Sequence, residues 1–324
     1  MRVLVTGGAG YIGSHAVRAL VAAGHKVSVV DSLVYGHREA LVDDSVELVV
    51  GNLGNEELLG NLFKRFRPDA IMHFAAFAYV GESVDEPLKY YRNNLAAPLV
   101  LLEQMRASEC RKFVFSSTCA TYGVPGKVPI DEAEKQDPIN PYGRSKLMLE
   151  QVLADCDPAW GLKSMCLRYF NASGASLDGK IGEDHDPETH LIPRILMAVR
   201  GEIPHLDVYG TDYDTPDGTC IRDYIHVEDL ADAHVKALDH LETHGESNFI
   251  NLGSGNGISV KEIIDAVEKV SGKKVPVKYG PRRPGDPPRL VADASKALEV
   301  LGWKTTRSDT ETIVRTAWEW KGKY

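Results

Sequence analysis

An α/β fold, with a doubly wound parallel sheet followed by a smaller C-terminal α/β domain, is predicted by three features of the 324-residue sequence. Short β-branched runs alternate with longer amphipathic stretches through the first half; a glycine-rich turn follows the first run; and after Phe170 the texture shifts to loops of Gly, Asp, Pro and Thr. Residues 3–6, 26–30, 46–50, 70–74, 112–115 and 164–167 read as strands, and 12–23 and 88–105 as helices. Hydrophobicity in these strands is continuous rather than alternating, as in strands covered by helices on both faces. Beyond Phe170 the notable loops are 212–219 and 279–288, interrupted by a helical run at 227–238 and a strand at 249–252. The expected division is a first domain of residues 1–170, to which 223–251 returns, and a second of 171–222 and 252–324.

Composition narrows the classes of function. With 43% hydrophobic and 26% charged residues and no repeat, the chain is an ordinary globule, able to bury roughly 75% of its unfolded surface. A net charge of -9 argues against nucleic acid, whose phosphates demand a basic face, and points to small-molecule partners. No apolar run approaches the roughly 20 residues that cross a bilayer, and the chain opens on a strand without a basic leader, so a cytoplasmic protein with no membrane partner is expected. Cys110, Cys119, Cys156, Cys166 and Cys220 are odd in number and scattered. They read as reduced structural thiols, and no metal site is expected.

The first strand runs into Gly7-Gly8-Ala9-Gly10-Tyr11-Ile12-Gly13 and then a helical pattern. Without a Cβ at Gly7, Gly10 and Gly13, backbone N–H groups can approach a pyrophosphate, whose charge the helix N-terminus favours. Asp31 ends the second strand, where a carboxylate can accept hydrogen bonds from the adenine ribose. The same charge would repel a ribose 2'-phosphate, so NAD is favoured over NADP and the first domain reads as Rossmann-type. Taken alone, Asp31 could also be a turn or cap residue.

Asn140-Pro141-Tyr142-Gly143-Arg144-Ser145-Lys146 is a helix start, with asparagine as cap and proline at the first helical position. Tyr142 and Lys146 then stand one turn apart. A phenol titrates near 10. A neighbouring ammonium together with the nicotinamide charge is expected to bring it to about 7, which requires roughly 4 kcal/mol. The pair alone is equally compatible with a solvated helix face. Ser116-Ser117-Thr118, at the end of a predicted central strand, gives it a context, because ligands bind at strand carboxyl ends in open α/β sheets. Thr118, Tyr142 and Lys146 are accordingly the candidate catalytic residues.

The set Thr6-Gly7-Gly8-Ala9-Gly10-Tyr11-Ile12-Gly13-Ser14-His15, His73-Phe74-Ala75-Ala76, Val80-Gly81-Glu82-Ser83, Leu167-Arg168-Tyr169-Phe170-Asn171 and Arg222-Asp223-Tyr224-Ile225-His226 resembles the UDP-glucose 4-epimerases of the extended short-chain dehydrogenase family over nearly the whole chain. The resemblance implies a homodimer with retained NAD in the larger domain and a UDP-sugar held by the smaller one. It assigns Gly7, Gly10, Tyr11, Ile12, Gly13, Asp31, Ser32, Asn52, Leu53, Phe74, Ala75, Ala76, Asn93 and Phe170 to the cofactor, together with Thr118, Tyr142 and Lys146. Asn171, His190, Leu191, Tyr209, Arg222, Arg283 and Asp286 are assigned to the UDP-sugar; guanidiniums suit pyrophosphate and an aromatic ring suits uracil. The implied chemistry has Tyr142 removing the 4-hydroxyl proton while NAD takes the C4 hydride, and Thr118 holding the 4-oxygen.

Nucleotide-sugar dehydratases of similar type carry Thr-Asp-Glu where this chain has Thr118-Cys119-Ala120, so the acid and base for elimination are missing. A non-catalytic NAD sensor would be expected to lose Tyr142 or Lys146, and both are present. Some positions depart from the familiar epimerase pattern. Asn52 stands for an aspartate near the adenine, Ala78 for a lysine near the cofactor, His190 for an asparagine beside the sugar and Leu290 for a bulky tyrosine. Phe77-Ala78-Tyr79 is similar to variants in some bacterial exopolysaccharide enzymes and in plant UDP-arabinose 4-epimerases; a UDP-pentose is the alternative substrate, and Leu290, smaller than tyrosine, adds a UDP-N-acetylhexosamine.

Overall fold

The computed structural model describes residues 1–283 and 286–321. Pro284 and Gly285, within the loop expected over 279–288, and the last three residues of the expected second domain lie outside the described residues.

The first half alternates as the sequence pattern requires. Strand β1 (Arg2–Thr6) leads to helix α1 (Tyr11–Ala22), β2 (Lys26–Asp31), β3 (Glu47–Val50), α2 (Glu56–Phe66) and β4 (Ala70–His73). Asn55 caps α2 by accepting the Leu58 N–H at 3.0 Å, with Glu56 and Glu57 in the first turn and Lys64 and Arg65 in the last, each sign placed where the helix dipole favours it. Helices α3 (Val80–Asp85) and α4 (Pro87–Tyr91) follow, and a π-turn at Arg92–Ala96 joins α4 to α5 (Ala97–Ala107). The helix expected over 88–105 is therefore widened in its middle. Pro98 supplies the reason, since its ring clashes with the carbonyl four residues earlier in a regular helix.

Strand β5 (Lys112–Thr118) precedes α6 (Pro141–Trp160) and β6 (Lys163–Tyr169). Both strands outrun the expected 112–115 and 164–167, because polar residues near their carboxyl ends are buried and bonded. The Ser117 hydroxyl donates to Glu150 at 2.5 Å, and the Ser116 hydroxyl bonds the Tyr169 phenol. The second half continues with β7 (Asn171–Ser173), α7 (Leu191–Arg200), β8 (Leu206–Tyr209), β9 (Ile221–His226), α8 (Val227–Thr243), β10 (Asn248–Leu252), β11 (Gly257–Ser259), α9 (Val260–Ser271), β12 (Val277–Gly280), β13 (Arg289–Leu290), α10 (Ser295–Leu301) and α11 (Thr310–Lys321).

Seven parallel strands form one sheet in the order β10-β6-β5-β4-β1-β2-β3. One face packs on α1, α8 and α10 around Leu20, Leu230, Leu238 and Trp303, and the other on α2, α5 and α6 around Leu59, Phe63, Leu101 and Leu153. Strand order reverses between β1 and β4, and such a reversal opens a crevice at the carboxyl ends of the strands. The smaller part holds a four-stranded sheet, β11-β9-β13 with β7 against β9, and the pair β8-β12, covered by α7, α9 and α11. Strand β9 belongs to this smaller sheet, whereas α8 and β10 join the seven-stranded one, so the chain re-enters the large sheet's layers at Val227 rather than at Asp223.

Candidate active site

Gly7 closes the turn after β1 at φ +71°, and a Cβ there would meet the Ala75 nitrogen at 2.5 Å. Thr6 carbonyl oxygen accepts the N–H groups of Phe74 and Ala75, at 2.8 and 3.1 Å, so the turns after β1 and β4 touch across the crevice. A Cβ on Gly13 would stand 2.1 Å from the Gly7 carbonyl oxygen, so only glycine lets α1 start this close to the strand. Gly10 is its N-cap and no side chain caps it, which leaves the first-turn N–H groups at Tyr11, Ile12 and Gly13 to serve a pyrophosphate. Asp31 accepts from the Ala9 N–H at 3.0 Å through Oδ2 and from Leu33 at 2.8 Å through Oδ1. Each oxygen keeps a lone pair for a ribose hydroxyl. Ser32 beside it is exposed and Leu53 is buried.

Asn52 and Asn93 line one open groove of about 540 Å³, together with Phe77, Lys89 and Val100. Buried Asn94 clamps the segment after β4, accepting from the Phe77 N–H at 2.8 Å and donating to its carbonyl at 2.9 Å. Asn93 donates to that same Asn94 oxygen at 3.0 Å. Phe74 and Ala75, with Ala76 next in the chain, thus continue from β4 into the wall of the crevice. These features fit NAD: a cradle that admits no Cβ, an uncapped helix start, and a carboxylate at the end of β2.

The helix that carries the tyrosine and lysine starts as expected, with the Asn140 side chain accepting the Gly143 N–H at 2.8 Å. Lys146 is buried and donates to the Ser116 carbonyl at 2.8 Å, with its ammonium 4.9 Å from the Phe115 ring centre. Burial pulls its pKa down to about 7, against which the Glu150 carboxylate works. Burial drives the Tyr142 phenol the other way, up to about 12; a hydrogen bond with the Thr118 side chain draws it back and Cys119 adds to the rise. The expected movement of the phenol toward 7 is thus absent from the chain's own electrostatics. Desolvation outweighs a lysine that is itself half neutral near pH 7, so the charge of the nicotinamide must supply what the ammonium was expected to give. Beneath the pair lies a buried ion pair, Arg168 to Glu150, with 2.6 Å between Nη2 and Oε2 and 2.9 Å between Nε and Oε1.

The residues assigned to the UDP-sugar gather on the smaller part. Asn171 on β7 donates to the Asp223 carbonyl on β9 at 2.9 Å. Arg222 on β9 is paired with Asp286, and the Arg283 guanidinium stacks 4.1 Å from the Tyr209 ring centre at the end of β8. Phe170, with Tyr122, Ile130 and Ala292, forms a small buried cluster against which Leu290 packs. His190 is the N-cap residue of α7 and Leu191 its first residue.

A further cluster escaped the sequence reading, which expected no metal ligands. Glu183, His185, Glu188 and His190 bring their ligand-type atoms within 4.8 Å of one another. Cysteine spacing gave no signal there; the two Glu-x-His tripeptides, Glu183-Asp184-His185 and Glu188-Thr189-His190, could have given one. His185 stands edge-on to Tyr11, with ring centres 6.2 Å apart, so the cluster adjoins the glycine turn. The His190 ring bonds Glu183 through Nδ1 at 2.5 Å; burial disfavours its charge, yet Glu183 pushes its pKa up to about 9.

A glycine turn in a Rossmann-type sheet, with a buried Tyr-Lys pair beside its strand ends, places the chain among dinucleotide-binding enzymes. The chain belongs to the NAD dependent epimerase/dehydratase family, whose model matches residues 3–253. It is 49% identical to a UDP-glucose 4-epimerase of Lacticaseibacillus casei, over 99% of this chain and 96% of that protein. A crystal structure of UDP-glucose 4-epimerase from Brucella ovis in complex with NAD superposes with a TM-score of 0.95 at 52% identity, covering 98% of this chain and 97% of that one. A probable UDP-arabinose 4-epimerase of rice, Oryza sativa subsp. japonica, is 44% identical over 99% of this chain and 80% of its own length. The protein is an NAD-dependent enzyme of nucleotide-sugar chemistry, and among the described residues no helix is long and apolar enough to cross a membrane.

Proposed function

We propose that the chain interconverts UDP-glucose and UDP-galactose by NAD-dependent 4-epimerisation through a transient 4-keto sugar. The observation that carries this reading is Thr118 on β5 beside Tyr142 and Lys146 on α6, followed by Cys119 and Ala120, neither a carboxylic acid. NAD, when bound, would supply reversible hydride acceptance at the sugar C4. Tyr142 takes the proton from the 4-hydroxyl and gives it back, Thr118 holds the 4-oxygen, and Lys146 would help hold the cofactor and favour the phenolate. Gly7, Gly10, Tyr11, Ile12, Gly13, Asp31, Ser32, Asn52, Leu53, Phe74, Ala75, Ala76, Asn93 and Phe170 hold the cofactor. Asn171, His190, Leu191, Tyr209, Arg222, Arg283 and Asp286 hold the UDP-sugar, mainly through UDP, so that the hexose can turn.

Residues 1–170 with 227–252 form the NAD domain in this reading, and 171–226 with 253–324 the UDP-sugar domain. Exposed Val84, Leu88, Leu99 and Met148 on α3 to α6 favour a homodimer across that face. Five free cysteines suit a reducing cytoplasm. Half-buried Leu290, smaller than a tyrosine, favours as second reading a UDP-pentose or UDP-N-acetylhexosamine substrate.

The test is incubation with UDP-glucose without added cofactor, followed by NMR for UDP-galactose. Absence of product would overturn the main reading, and a higher kcat/KM for UDP-xylose or UDP-N-acetylglucosamine would replace the substrate. Tyr142→Phe should retain NAD and UDP-sugar while losing turnover.

A further inference from the structure

Two carboxylates, Glu183 and Glu188, are buried side by side in the loop between β7 and α7, their side chains 6% and 2% exposed. Among the described residues neither has a Lys or Arg ion-pair partner; the nearby Arg194 reaches the Glu188 backbone carbonyl instead. Buried charge is costly, and such groups are normally paired, here only in part by His190, or coordinate a metal. The groups facing them are two imidazoles. His185 Nδ1 lies 3.3 Å from Glu183 Oε1 and 4.0 Å from Glu188 Oε2, and His190 Nδ1 lies 2.5 Å from Glu183 Oε1 and 3.7 Å from Glu188 Oε1.

Unsatisfied polar atoms converge on the same place. His185 Nδ1 and Glu188 Oε2 are buried without a hydrogen-bond partner. Buried polar atoms in folded proteins are overwhelmingly bonded, so two orphans inside one cluster of ligand-type side chains point to a missing ligand.

We propose that Glu183, His185, Glu188 and His190 bind a divalent transition-metal ion of the zinc class. Ligation takes both imidazoles neutral, so that with the two carboxylates the set carries about -2, which a divalent ion cancels; the metal replaces the proton that His190 shares with Glu183 in the free protein. The mixed nitrogen and oxygen set with only four donors suits zinc better than calcium or magnesium, which need more oxygens. Ligand bonds of about 2.1 Å put neighbouring donors of a tetrahedron about 3.4 Å apart; the His185 distances of 3.3 and 4.0 Å bracket this, whereas His190 Nδ1, 2.5 Å from Glu183 Oε1, must draw back by about 1 Å as its proton leaves. Four protein ligands make a closed, structural site. It pins the loop to the start of α7 and against Tyr11. Any consequence for sugar binding through His190 rests on the proposed function; metal binding itself does not.

The experiment uses the untagged holoprotein. Zinc is quantified by mass spectrometry after purification, and chelator-treated protein is titrated with Co²⁺. One metal per chain and a visible Co²⁺ spectrum of tetrahedral intensity, abolished by added Zn²⁺, are expected. Glu188→Gln and His185→Gln should weaken Co²⁺ binding by on the order of 100-fold or more while NAD content stays unchanged. Failure of the wild type to hold zinc or to develop the Co²⁺ spectrum would overturn the proposal, as would undiminished binding in both variants. The wild-type titration decides on its own if a variant does not fold, and neither readout depends on which sugar the enzyme turns over.

Discussion

Lys146→Met should make the protein more stable as it disables it, because the buried ammonium is a thermodynamic burden. Its pKa stands at about 7 in the folded chain against an ordinary 10.5. At about 1.4 kcal/mol per pH unit, holding the charged form inside costs about 5 kcal/mol below pH 7. The sign follows from proton counts. Between 7 and 10.5 the unfolded chain binds a proton that the native chain has released, so native stability rises with pH through this window and the cost falls to about 2 kcal/mol by pH 9. Methionine has similar length and no charge, and it forfeits the 2.8 Å hydrogen bond to the Ser116 carbonyl, worth about 1 kcal/mol. The variant should therefore gain about 4 kcal/mol at pH 6.5 and about 1 kcal/mol at pH 9. Urea denaturation of both proteins, freed of cofactor so that ligand binding does not contribute, measures the difference. A variant no more stable than wild type at pH 6.5, or a gain equally large at pH 9, would refute the reasoning.

Glu150→Gln strands the buried Arg168 guanidinium and should cost about 3–5 kcal/mol in the same denaturation assay, whereas Glu150→Leu combined with Arg168→Met should recover most of it. A loss below about 1 kcal/mol would show the pair to be better solvated than its burial implies. Gly7→Ala, at φ +71° and with its new Cβ 2.5 Å from the Ala75 nitrogen, should leave purified protein without retained NAD, as read by chromatography of the denatured supernatant. Full cofactor occupancy in that variant would contradict the geometry of the turn. Arg283→Ala should raise the Kd for UDP by about 10- to 100-fold in calorimetry with kcat little changed, and Arg283→Lys should not restore it, because a lysine cannot stack on Tyr209 as a planar guanidinium does.

What the sequence made legible was local. The glycine turn, the cap at Asn140 and the proline after it act within a few residues, and each stands where the pattern placed it. Legibility failed where distant partners decide. Ser116 and Ser117 break the apolar run of β5, and only Tyr169 and Glu150, brought by β6 and α6, let the strand continue through them. The amphipathic helices of the second half, such as Leu191–Arg200 and Val260–Ser271, were submerged in loop-rich composition although Ser259 and Glu262 form a complete capping box. Assignment of β9 to the smaller sheet depended on pairings with β7, β11 and β13 that no periodicity announces. The cluster from Glu183 to His190 was read as loop because its meaning lies in convergence, which is a property of the fold.

The catalytic pair shows most clearly how structure altered the chemistry inferred from spacing. One helical turn between Tyr142 and Lys146 suggested a phenolate held by an ammonium together with the nicotinamide charge; the burial of both groups acts on them in opposite directions, leaving the phenol at about 12 and the lysine at about 7 before any cofactor contributes. Near pH 8 the chain's own electrostatics therefore favour two neutral groups. A positive charge added beside them favours phenolate and further disfavours ammonium, so under the proposed function NAD binding would convert Tyr142 into a base. To half-ionise the phenol at pH 8 that charge and its accompanying contacts must contribute about 5 kcal/mol. An interaction of that size is attainable only in a closed, desolvated crevice, and the contact between the turns after β1 and β4, with Gly7 against Ala75, supplies the wall of such a crevice.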